Sequence, residues 1–138
     1  PPHGLVESLV PDSDETDVFE ALDDAPSAFP PWSTTSVDTR VKFLRKIASS
    51  IEENREMLAQ AESVDSGKPI SVSRKVDIPR SQLNFDFFAD AMTQFHGEAF
   101  QPSLQTLNYV THQPLGVVAC ISPWNLPLEW FSWKIAPA

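Results

Sequence analysis

The spacing of hydrophobic positions along this chain changes once, near residue 100. Before that point it is helical. Ser13 reads as an N-cap, followed by Asp14, Glu15 and Asp17 where a helix dipole favours negative charge. Val18, Ala21, Leu22, Ala25, Ala28 and Phe29 recur at helical intervals; Pro26 predicts a kink or an early end, and Pro30-Pro31 a stop. Ser36 predicts the next N-cap. Val41, Leu44, Ile47, Ala48, Ile51, Leu58 and Ala61 then form one apolar stripe with charges opposite. Gly67 suits a left-handed C-terminal cap, and Pro69 prevents continuation. A third helical region runs from Ile70 towards Phe95, through Pro79 and the aromatic cluster Phe85, Phe87, Phe88 and Phe95, with Gly97 ending it.

Beyond residue 100 the period is two. Leu104, Thr106, Asn108, Val110 and His112 alternate with Gln105, Leu107, Tyr109 and Thr111, which predicts a strand with two usable faces. Residues 115–121 (LGVVACI) are continuously apolar, the pattern of a strand buried on both faces. Ser122-Pro123-Trp124-Asn125 ends that run, and a helix follows from Leu126 with Pro127 in its first turn. Residues 1–12, rich in proline, read as an extended segment or edge strand. Helices, a two-faced strand, then a buried strand feeding a loop and helix predict the opening of an α/β domain. Ligands of open α/β sheets bind at such a strand-to-loop junction.

Composition narrows the chemistry. With 10 basic and 19 acidic residues, net charge -9, the chain lacks the clustered cations that displace counterions from nucleic acid. Its four glycines are too scattered for a phosphate-cradling loop, and one cysteine excludes an internal disulfide or a cysteine-based zinc cluster. His3, His96 and His112 are too separated to suggest a metal site. No apolar run approaches the ~18 residues that span a bilayer, and no signal peptide is visible. The expectation is a soluble, cytoplasmic domain or a piece of one, with no nucleic-acid or membrane partner. The chain does not begin with Met, so an upstream segment is expected to be missing.

The stretch Pro114-Leu115-Gly116-Val117-Val118-Ala119-Cys120-Ile121-Ser122-Pro123-Trp124-Asn125-Leu126-Pro127 resembles the aldehyde dehydrogenase superfamily, whose members carry Pro-x-Gly-Val, a short apolar run, then Pro-Trp-Asn-x-Pro. Ala28-Phe29-Pro30-x-Trp32, Asp65-x-Gly67-Lys68-Pro69 and Trp133-Lys134-Ile135-Ala136-Pro137-Ala138 resemble further family segments in the same order. The likeness covers nearly the whole chain, and its wording is most similar to the subgroup that oxidises muconic-type semialdehydes. It implies an α/β fold: the N-terminal portion of a Rossmann-like cofactor domain plus part of the oligomerisation β-hairpin, incomplete as given. Residues 1–103 would form the helical part of that domain, 104–114 the oligomerisation strand, and 115–138 the start of the catalytic loop with its following helix.

The resemblance also implies roles. Asn125 matches the asparagine whose amide donates to the oxyanion formed when a cysteine attacks an aldehyde; from spacing alone it equally suits an N-cap before Leu126-Pro127. Ile121, Ser122, Pro123 and Trp124 match the segment lining an NAD or NADP site, although a bare Trp124 suits a core. Lys134 matches a lysine near the catalytic centre, where an unaided reading gives a solvated side chain. Leu126, Trp130 and Trp133 match the substrate tunnel, or simply pack. Glu129 departs from the apolar or tyrosyl residue expected there, and Pro26 interrupts a helix the family keeps intact. The family's nucleophilic cysteine, general-base glutamate and glycine motif belong downstream of Ala138. Cys120 precedes the loop and reads as a small core residue; a Cys120–His112 dyad would lack a third member to orient the histidine.

Three readings follow. The first is a segment of an NAD(P)-dependent aldehyde dehydrogenase, inactive alone and homo-oligomeric when full length. The second is a non-catalytic interaction module pairing with intact relatives through an edge strand at residues 104–112. The third is a truncated product with no independent role.

Overall fold

The computed structural model describes Val6 and residues 9–138. Most of the extended segment expected over residues 1–12 lies outside the described residues. Six α-helices and one hairpin follow: α1 (Glu15–Ser33), α2 (Val37–Glu53), α3 (Arg55–Ser66), α4 (Ile70–Val72), a π-helical turn (Ser73–Asp77), α5 (Ile78–Gln94), β1 (Ala99–Ser103), β2 (Thr106–Tyr109) and α6 (Pro127–Ile135).

Helix α1 starts one residue later than Ser13 predicts. Asp14 is the N-cap and forms a reciprocal capping box with Asp17. The helix also runs through Pro26, Pro30 and Pro31 to Ser33, past the expected stop. A proline costs an interior helix its hydrogen bond, but no residue of α1 is buried, so freed carbonyls meet solvent. At the C-terminal end, Ser33 and Thr34 hydroxyls donate to Pro30 O, and Thr35 donates to Pro31 O at 2.8 Å. Arg40 hooks this end to α2 by donating to Trp32 O at 2.8 Å.

The long helix predicted between Ser36 and Gly67 keeps both caps but breaks in the middle. The Ser36 hydroxyl accepts from Thr39 N, and Gly67 adopts φ 73. Asn54 leaves helical geometry (φ -103, ψ 16) and separates α2 from α3. The break shifts the phase of the stripe. Ala48 and Ile51 are buried as expected, whereas beyond Asn54 it is Ala59 and Glu62 that turn inward and Ala61 that faces out.

Pro79 explains the π turn. The wider winding carries Ile78 N–H to Ser73 O. Pro79 has no N–H to follow suit, and the Arg55 guanidinium supplies the lost donors to Arg74 O at 2.8 and 3.2 Å. The core is where α2, α3, α5 and α6 meet: Ala48, Ile51, Ala59, Ile78, Phe85 and Ala136, backed by Leu44, Leu58, Phe88 and Leu128. Asn84 on α5 donates to the Ser132 hydroxyl at 2.7 Å, which fixes α6 against that core.

The strand near residue 104 is half of a hairpin. β1 and β2 pair antiparallel, with Ala99 opposite Tyr109 and Ser103 opposite Thr106. Pro102 sits inside the irregular stretch between Phe100 and Ser103, where a residue without an N–H is tolerated. Leu104 and Gln105 form the turn instead of joining the strand, which ends at Tyr109 rather than His112. Gly97 is required for close approach, not for ending α5: a Cβ there would meet Val110 O at 2.4 Å.

The buried strand expected over residues 115–121 is not formed. Leu115 is 93% exposed and Ile121 83%, and Gly116 turns into the left-handed region at φ 98. An apolar run makes a central strand only with neighbours on both edges, and the described residues supply none.

Candidate functional site

The loop from Ile121 to Leu126 leads into α6 and is held from below by charges. Lys68, just past the Gly67 cap, points its ammonium at three acceptors: Glu62 Oε1 on α3 (3.0 Å), Asp77 Oδ2 on the π turn (2.8 Å) and Asn125 O on the loop (3.1 Å). The two carboxylates are almost fully enclosed, at 4% and 2% side-chain exposure, and Lys68 retains 14%. Burial works against the Lys68 charge, but the hydrogen bonds to Asp77 and Glu62 outweigh it and raise the pKa. The other carboxylate oxygen of Glu62 reaches α6, where Oε2 accepts from Leu128 N in the first turn at 3.3 Å.

That contact decides how Asn125 is used. Leu126 occupies the N-cap position and makes no side-chain cap bond. Asn125 is therefore not the cap that spacing alone allows. Its Oδ1 accepts from the Trp130 indole at 3.2 Å, one turn into the helix. With the carbonyl end occupied, the Nδ2 hydrogens have no protein acceptor among the described residues, and the residue is exposed. The result is an oriented amide donor facing open space.

The other expected site residues divide. Trp130 and Trp133 lie one turn apart on α6 with their indoles 6.3 Å apart, and Leu126 stands at the helix's N-cap position. Ile121, Ser122, Pro123 and Trp124 are all exposed, Trp124 at 87%, so its ring lies outside the core. Lys134 is exposed too, and its carbonyl accepts from the Cys120 thiol at 3.7 Å. Cys120 is likewise exposed, which corrects its reading as a core residue. His112 packs on Phe95 at 4.6 Å, so it and Cys120 have separate partners. Glu129, the departure noted in the sequence, lies on the inward face, pairs with Arg80 at 3.0 Å and has its pKa raised by burial.

Sequence reasoning gave Lys68 only a place in a turn, and missed Glu62 and Asp77. The available signal was an acid four residues after Leu58, on the apolar side of a helix: such a group is buried only when paired. Among the described residues no cluster of three or more His, Cys, Asp or Glu could hold a metal, and no helix is long and apolar enough to cross a membrane.

The aldehyde dehydrogenase family model matches residues 1–138. The chain belongs to that family. A curated relative from Danio rerio, 2-aminomuconic semialdehyde dehydrogenase, is 47% identical over 139 residues, covering 100% of this chain and 28% of its own length. This aldehyde dehydrogenase chain thus spans little more than a quarter of the relatives it matches. Among solved structures, the indole-3-acetaldehyde dehydrogenase of P. syringae in complex with NAD+ superposes with a TM-score of 0.92 at 36% identity, over 98% of this chain and 28% of that one. PnpE in complex with nicotinamide adenine dinucleotide gives 0.83 at 43% identity, over 88% and 25%. The expected fold, a part of the aldehyde dehydrogenase architecture, is therefore the observed one. The muconic-semialdehyde wording agrees with the relative's name.

Proposed function

We propose that this chain supplies the oxyanion amide and part of the pocket wall of an NAD(P)-dependent aldehyde dehydrogenase acting on a semialdehyde of the muconic type. One observation carries the reading: Asn125 is relieved of capping by Glu62 and oriented by the Trp130 indole, so its Nδ2 points outward. A preorganised donor aimed at a developing oxyanion is worth about 10²–10³ in rate. Leu126, Trp130 and Trp133 form the substrate wall beside it, and Lys134 lies at the margin of the same centre.

Residues 121–124 fit a dinucleotide in one respect: Trp124 presents an uncovered aromatic face beside Asn125. Ile121, Ser122, Pro123 and Trp124 would hold the nicotinamide and ribose end, and NAD or NADP would supply the hydride acceptor. Cys120, with its thiol turned to Lys134 O, is not the nucleophile. The nucleophile and general base are assigned to the part of the family's length this chain does not span, and the 138 residues alone are expected to produce no NADH. The division into 1–103, 104–114 and 115–138 follows the same assignment, except that the hairpin edge through which copies of the full-length enzyme would pair begins with β1 inside the first segment.

The test is a fusion. Joining this chain in frame to the downstream remainder of the Danio rerio relative should give a protein that forms NADH with an aldehyde the relative oxidises. A folded fusion that forms none, beside an active parent, contradicts the reading.

A further inference from the structure

We infer that Lys68 and Glu62 are positioning residues for Asn125: the ammonium of Lys68 pins the loop carbonyl while the carboxylate of Glu62 replaces Asn125 as the cap of α6. The inference rests on the reading of Asn125 as the oxyanion donor, and it concerns what keeps that amide available.

The argument begins with competition. An asparagine side-chain oxygen at a helix start competes for the first free backbone N–H groups, and Asn125 stands one residue before the N-cap position held by Leu126. Such a bond would remove the indole contact and swing Nδ2 away from its present direction. Glu62 prevents it from a distance of 66 residues by accepting from Leu128 N. A carboxylate at a helix N-terminus is also favoured by the dipole. Glu62 can serve only because Lys68 neutralises it, since a carboxylate 4% exposed would otherwise be costly.

The same ammonium provides the tether. Its three N–H groups are divided among α3, the π turn and the loop, so all three hydrogens of one cation fix three separate backbone segments. Asp77 is placed by the π turn, of which it is the last residue, just ahead of Pro79. The Gly67 cap, with φ 73, brings the chain round so that the next residue points back over α3. Each element of the support is therefore set by a local sequence feature.

Proton–nitrogen correlation spectra of the 138-residue chain test this without any catalytic readout. A hydrogen bond to a charged group is worth about 1.5–3 kcal/mol. Lys68→Met is therefore expected to speed solvent exchange of the Trp130 indole N–H by at least about tenfold and to shift the Asn125 carboxamide peaks. The amides of α2 and α5 should stay in place, and Lys68→Arg should recover part of the protection. Removing the cation from two buried carboxylates can unfold the helices outright. A triple variant, Lys68→Met with Glu62→Gln and Asp77→Asn, avoids this by leaving only Glu129 charged there, still paired with Arg80, and its indole should exchange equally fast. Unchanged indole exchange and unchanged Asn125 peaks, in whichever variant keeps its helices, overturn the inference. Because no turnover is measured, that outcome is separate from failure of the oxyanion assignment, which only the fusion's activity reads.

Discussion

The helices α2, α3, α5 and α6 and the stretch from Thr93 to Asn125 are comparably apolar, yet they are organised in opposite ways. The helices bury Ile51, Ile78 and Phe85 among themselves and enclose the carboxylates of Glu62, Asp77 and Glu129, which pair with Lys68 and with the exposed Arg80. From Thr93 to Asn125 only Gly116 is less than exposed. The hairpin there has two strands, and two strands alone are marginal in water. The difference teaches that hydrophobic content does not make a core; partners within reach do. It also places Asn125 at the boundary, where an exposed loop is held by the buried side.

Hydrogen exchange tests that contrast most broadly. Amides of α2 and α5 should exchange only by global opening, while residues 99–121 should show protection near that of an unfolded chain. Comparable protection in both would break the comparison. Side-chain deletion should sharpen it. Phe85→Ala, at a residue 1% exposed, should destabilise the helices by about 3–5 kcal/mol in denaturant melts, whereas Leu115→Ser should change the same midpoint by less than about 0.5 kcal/mol. Gly97→Ala should act on the hairpin alone. Its Cβ would overlap Val110 O, so the Val110 N–H bond to Glu98 O, 2.8 Å long, should be lost and the Val110 amide peak should shift. The melting midpoint of the helices should not move.

The smallest effect concerns an exposed ion pair on the helical side. The Arg74 guanidinium bonds Glu56 and, with Gln60, lowers its carboxyl from 4.5 to about 2. A depressed carboxyl contributes stability above pH 4.5 and loses it as pH falls through about 2. The stability difference between the wild type and Glu56→Gln should therefore narrow between about pH 5 and pH 2, and salt should shrink it at every pH. A difference independent of pH would show that the pair does not hold in solution.

Much of this was legible in the sequence wherever the cause was local. Ser36, Gly67 and Pro127 mark helix ends by properties of single residues, and all three hold. The loop Ser122-Pro123-Trp124-Asn125 identified the family through its wording. What could not be read had distant or geometric causes. The break at Asn54 is invisible because the apolar stripe continues on both sides of it. The run from Leu115 to Ile121 carries the composition of a central strand, but pairing depends on edges that composition does not supply. The support of Asn125 joins residues 57 and 66 positions apart. No spacing rule links Glu62 to the first turn of α6.

The central claim is that Asn125 provides the oxyanion amide, and the turnover of its alanine variant in the active fusion tests it most directly. Asn125→Ala should lower kcat by about 10²–10³ while leaving KM within a few-fold, since the contact tightens only as negative charge develops on oxygen. A fall in kcat of less than about tenfold, in a fusion that still folds, would contradict the account.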